Sequence, residues 1–126
     1  MKDLKYLAAY TIPVSAAISV GSTGWLTFTA VIFAFIAIPL LEWVVGKDSK
    51  NLPEKEVERK KSAQVFDIML YLNLPIVFGL LYWSLSNVSS LDYSLLELVG
   101  LSYSIGILLA TNAINVAHEL GHRKSL

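Results

Sequence analysis

Trp25 to Val45 reads WLTFTAVIFAFIAIPLLEWVV, an apolar run whose one charge, Glu42, lies close to its far end. A helix rises about 1.5 Å per residue, so a run of this length reaches about 30 Å, the thickness of a bilayer's hydrocarbon core. In lipid the backbone must satisfy its own hydrogen bonds, and a helix does so within one segment. The run therefore reads as a transmembrane helix. Three further apolar stretches accompany it, at about 6–20, 65–85 and 95–117. Gly21-Ser22-Thr23-Gly24 is a turn signal between the first two. A polar link from Ser86 to Asp92 joins the last two, and a long polar stretch from Gly46 to about Ser62 separates the pairs. The fold class this implies is all-α: a multi-pass transmembrane helical bundle of four spans.

Composition agrees. The chain has 126 residues, one domain's worth at most, with 55% apolar and 16% charged residues. Soluble domains carry about 25% charge, so neither a soluble globule nor a disordered chain fits. With no cysteine there is no disulfide framework, thiolate zinc site or iron–sulfur cluster. Ten Lys and Arg balance ten Asp and Glu, which leaves no basic field for nucleic acid.

The positions of the cations set a direction. Lys2 and Lys5 precede the first span. Lys47, Lys50, Lys55, Arg59, Lys60 and Lys61 lie between the second and third, and Arg123 and Lys124 follow the fourth. The two short turns hold none. Cytoplasmic loops carry the positive excess, so both termini and the long loop are expected on the cytoplasmic side of an inner, cytoplasmic membrane. Trp25, Trp43, Tyr82, Trp83 and Tyr93 fall near span ends, where amphipathic rings favour the interface. The N-terminus lacks a small-residue cleavage site before Gly21 and does not read as a secretory signal. In the long loop, Asn51-Leu52-Pro53-Glu54 reads as a turn or helix start, and Glu54 to Lys61 alternates acid and base as a solvated surface helix does.

The chemistry gathers at the end of the fourth span, in His118-Glu119-Leu120-Gly121-His122. The two histidines stand four apart, one turn along a helix face, a spacing that lets two imidazoles reach one metal ion. At about 100° per residue from His118, a stripe of polar or small residues runs up the same face: Asn115 at about +60°, Thr111 at about +20°, Ser104 at about +40°, Gly100 at about 0° and Glu97 at about +60°. Polar groups in lipid are costly and turn toward the bundle interior. Gly100 and Ser104 are read as helix-packing residues, Asn115 as a residue that orients a ligand, and Asn112 falls off the stripe. Glu42 and Asp67 lie at the depth of the histidines and are read as acids reaching water or a nearby cation. His-Glu-x-x-His also fits a zinc protease, with two ligands and a glutamate base, so the motif alone leaves the metal open. Arg123 and Lys124 follow at once and place the pair at the mouth of the span, where a soluble electron donor can reach it.

The stretch Asn115-Val116-Ala117-His118-Glu119-Leu120-Gly121-His122-Arg123-Lys124 resembles the first histidine box of the integral-membrane alkane hydroxylases. These are non-haem di-iron monooxygenases of the membrane fatty-acid desaturase/hydroxylase superfamily. Pro39-Leu40-Leu41-Glu42, Gly46-Lys47-Asp48 and Asn51-Leu52-Pro53-Glu54 resemble the end of that family's second span, with Lys47 in place of an acid and Leu52 inserted. The resemblance implies two iron ions held by histidines, His118 and His122 among them, and insertion of one oxygen from O₂ at the terminal carbon of an alkane or alkyl chain. It also implies electrons from rubredoxin and rubredoxin reductase, for which the charged loop would offer a docking surface. Ser104, Thr111 and Asn115 would border the substrate cavity, with Glu119 beside the ligands. Ala34 and Phe35 are candidate tunnel residues. The family needs further histidine boxes and two more spans, so residues 1–126 are expected to be the N-terminal part of one hydroxylase domain, inactive alone. The alternatives are a desaturase or aryl-methyl hydroxylase of the same superfamily, an intramembrane zinc metalloprotease, and a truncated, non-catalytic membrane protein.

Overall fold

The structure is a computed structural model, which describes residues 10–45 and 64–122. Every regular element among them is helical. Helix α1 spans Thr11–Val20, with Pro13 in its first turn, where a missing N–H costs nothing. The turn after it holds Gly24 at φ 63°, a left-handed conformation that glycine adopts without a Cβ clash. The chain then winds as a 3-10 segment (Gly24–Phe28), α2 (Thr29–Ile32), a π turn (Phe33–Ala37) and α3 (Ile38–Val45). Helix α4 runs over Gln64–Ser90. The last stretch comprises α5 (Leu95–Leu108), a second π turn (Leu109–Ala113) and α6 (Ile114–His122).

Three helical runs are long and apolar enough to cross a membrane: Gly24–Val44, Ile68–Ser90 and Leu95–Glu119. The first expected span, about 6–20, is not among them within the described residues. Thr11–Val20 covers ten residues, about 15 Å of rise, and residues 6–9 of the expected span lie outside the described residues. Helix α4 is longer than the apolar run expected at 65–85. At its polar end Ser89 and Ser90 donate to the carbonyls of Leu85 and Ser86, and Asn87 Nδ2 ties that end to α1 by donating to the Val20 carbonyl at 2.8 Å. The expected loop helix and the flanking cations Lys2, Lys5, Arg123 and Lys124 lie outside the described residues.

Small side chains bring the helices together. Ala16, Ser19, Ala30 and Ser104 are wholly buried, and Gly100 packs directly on Phe28 and Thr27. Lipid tails are as apolar as leucine, so close approach and interhelical hydrogen bonds hold such a bundle. The hydrogen bonds form a chain. Ala30 N–H donates to Ser19 Oγ at 3.1 Å, Ser19 Oγ donates to Ser104 Oγ at 3.1 Å, and Ser104 Oγ donates to the Thr27 carbonyl at 2.7 Å. Ile12, Val20, Val77, Leu101, Ile105 and Leu108 close around it. Large apolar side chains point outward instead, Phe35, Leu40, Trp43, Phe78, Tyr82 and Leu95 among them, as lipid-facing residues do. Tyr93 lies just before α5. It packs against the core, and its hydroxyl is buried with no partner among the described residues.

Candidate metal centre

The start of α5 fixes the helix that carries the histidines. Ser94 Oγ accepts from Glu97 N–H, and Glu97 Oε2 accepts from Ser94 N–H at 2.7 Å, a reciprocal capping box. The other oxygen, Glu97 Oε1, accepts from Gly24 N–H at 2.6 Å and ties α5 to the turn after α1. Glu97 is thus spent on the end of the bundle remote from the histidines.

At the other end, His118 stands exposed on α6 and His122 follows one turn later on the same helix. Glu119 is exposed beside them, and α6 packs against α4. Among the described residues no group of three or more His, Cys, Asp or Glu side chains converges closely enough to hold a metal. Two imidazoles one turn apart suit a first-row transition metal, but they supply only part of its coordination. Glu42 is exposed near the end of α3, and Asp67 belongs to the first turn of α4. Of the two tunnel candidates, Ala34 packs inward and Phe35 is exposed.

The polar stripe does not run straight to the histidines. Gly100 and Ser104 are buried, while Thr111 and Asn115 are exposed and Asn112 is buried instead. The π turn explains the difference. It takes up one extra residue, so everything after it lags by about 100° relative to an unbroken α-helix. That lag carries Thr111 and Asn115 outward and keeps Leu108, Asn112 and Val116 on the buried side. Both outward side chains bond to their own helix. Thr111 Oγ1 donates to the Ile107 carbonyl at 2.7 Å, and Asn115 Nδ2 donates to the Thr111 carbonyl at 2.7 Å. Sequence reading missed Asn112 and the buried Asn73 of α4; the available signal was simply an amide within an apolar span.

Comparison with known proteins bears on the chemistry. The chain is 35% identical over 104 residues to the alkane 1-monooxygenase of Pseudomonas putida, covering 81% of this chain and 26% of that protein. This chain is a relative of the alkane 1-monooxygenases. It is also 30% identical over 114 residues to alkane 1-monooxygenase 1 of Alcanivorax borkumensis, covering 89% of this chain and 28% of that protein. A third alkane 1-monooxygenase, from Ectopseudomonas oleovorans, is 34% identical over 104 residues, covering 81% of this chain and 26% of that protein. The chain thus spans about a quarter of the length of these relatives. No family model matches it, and no solved structure does.

Proposed function

We propose that residues 1–126 form part of one membrane monooxygenase domain that hydroxylates the terminal carbon of an alkane or alkyl chain. The observation that carries the reading is the pair His118 and His122, one turn apart where the last apolar helix ends, in a relative of alkane 1-monooxygenases. His118 and His122 hold iron through two imidazole nitrogens, and further ligands come from outside the described residues. Iron bound there supplies the redox chemistry with O₂. The overall reaction consumes one O₂, two electrons and two protons, and releases the alcohol and one water. The electrons come from a rubredoxin-type donor and its reductase, arriving at the cytoplasmic mouth of the span. The apolar helices bring the alkyl chain from the bilayer and keep bulk water from it.

The test compares metal content and terminal oxidation of an alkane in protein purified from its native membrane, unmodified and as His118→Ala or His122→Ala. Bound iron and activity together, both lost in either variant, are expected. Zinc in place of iron, or oxidation that survives the substitutions, would overturn the assignment.

A further inference from the structure

Two asparagines lie inside the bundle, apart from the histidines. Asn73 on α4 is 7% exposed and Asn112 in the second π turn is 5% exposed. Asn73 stands 17 residues before Ser90, where α4 ends, and Asn112 stands 17 residues after Leu95, where α5 begins. The two helices run antiparallel, so both amides lie about 25 Å from the shared hairpin. At that depth the π turn is in contact with α4.

Asn73 Oδ1 is buried and has no hydrogen-bond partner among the described residues. Leaving a buried amide carbonyl unpaired costs about 1–3 kcal/mol, and native structures pair such groups with protein or ordered water. Pro75 adds to the demand. It lies two residues on in α4, has no N–H, and so withdraws the helical donor from the Tyr71 carbonyl. In spans, proline-freed carbonyls are met by neighbouring side chains or ordered water. The π turn opposite widens its own helix, and its buried Asn112, whose Oδ1 accepts from Thr111 Oγ1 at 3.0 Å, stands at the same level.

We propose that Asn73, with Asn112 at its depth, holds ordered water inside the apolar bundle, reached from the end that bears the histidines. That end is the nearer one: Asn112 precedes His118 by six residues, about 9 Å of rise, against about 25 Å to the hairpin.

Residues 1–126 hold no cysteine, so the labelling of each introduced thiol is read against the unsubstituted protein. Its reactive form is the thiolate, which forms where water reaches it. Asn73→Cys and Asn112→Cys are compared in membranes with Val77→Cys and Leu108→Cys, which replace buried apolar residues one turn away, using a small water-soluble methanethiosulfonate reagent. The asparagine sites are expected to label about tenfold faster than the apolar ones or more. Equal rates overturn the proposal. A high-resolution map of the unmodified protein gives a second reading that needs no variant. Ordered solvent within hydrogen-bond distance of Asn73 Oδ1 supports the site, and a protein donor in that place overturns it.

Discussion

Replacing Gly100 with alanine tests the packing that joins α5 to the segment after the first turn. A Cβ at Gly100 would lie 2.5 Å from Phe28 Cδ2, 2.5 Å from Phe28 Cε2 and 2.5 Å from Thr27 Oγ1. Carbon atoms in good contact sit about 3.5–4.0 Å apart, so the elements must separate by about 1 Å or the neighbours must move. The Phe28 ring can swing. Thr27 is less free, because its Oγ1 donates to the Gly24 carbonyl at 2.8 Å and its own carbonyl accepts from Ser104. Overpacking of this kind costs about 1–3 kcal/mol. Alanine also gains up to about 1 kcal/mol in helix propensity, which would mask part of the cost. Gly106→Ala removes that ambiguity. Gly106 lies in the same helix, and a Cβ there would meet nothing within 4 Å, so it carries the propensity gain without the clash. Equilibrium unfolding in mixed micelles, followed by helical circular dichroism, should therefore find Gly100→Ala less stable than Gly106→Ala by about 1–3 kcal/mol. Equal stability of the two variants would show that the contact bears no load, and the packing argument would fail.

Ser104→Ala should lower stability by about 1 kcal/mol in the same assay, since interhelical hydrogen bonds in membranes average about 0.6 kcal/mol and this change removes two. No loss would mean that Ser19 and Thr27 find equal partners elsewhere. Deleting Ala110 should restore a continuous α-helix, turn α6 by about 100° and abolish iron retention while the spans still insert, as read by metal content and membrane fractionation. Unchanged iron binding would refute the claim that the π turn sets the direction of the histidines.

The spans were legible because length and apolarity are additive along the chain. Trp25 to Val45 needs no neighbour to declare itself, and Gly24 meets the left-handed turn that Gly21-Ser22-Thr23-Gly24 signals. The packing roles of Gly100 and Ser104 were also legible, because small residues in a span have few other uses. Glu97 was harder. Its spacing from Ser94 is a capping-box pattern, yet its angle on the helix also fits the polar stripe, and only the contact with Gly24 decides between them. The first span ends at Val20 as its apolar run does, but its described helix, Thr11–Val20, is too short to count as a span, since an apolar run shows where a helix is tolerated, not how far it extends.

What a fixed-pitch wheel cannot show is a change of pitch. Each of the two longest composite runs holds a π turn, Phe33–Ala37 and Leu109–Ala113, and both turns contact α1. Such turns cost hydrogen-bond geometry and concentrate at functional sites. Here the second has a definite effect. Without the extra residue, α6 would present the histidines' face along the line of Ser104, toward helices that bring no further His, Cys, Asp or Glu cluster among the described residues. With it, Asn112 and Val116 take the buried side and His118 is exposed. On the proposed reading two imidazoles leave the coordination of iron incomplete, and the remaining ligands need a free approach. On that same reading the π turn provides it: the buried stripe goes on packing against the bundle, while His118 is exposed to ligands that would come from beyond the described helices.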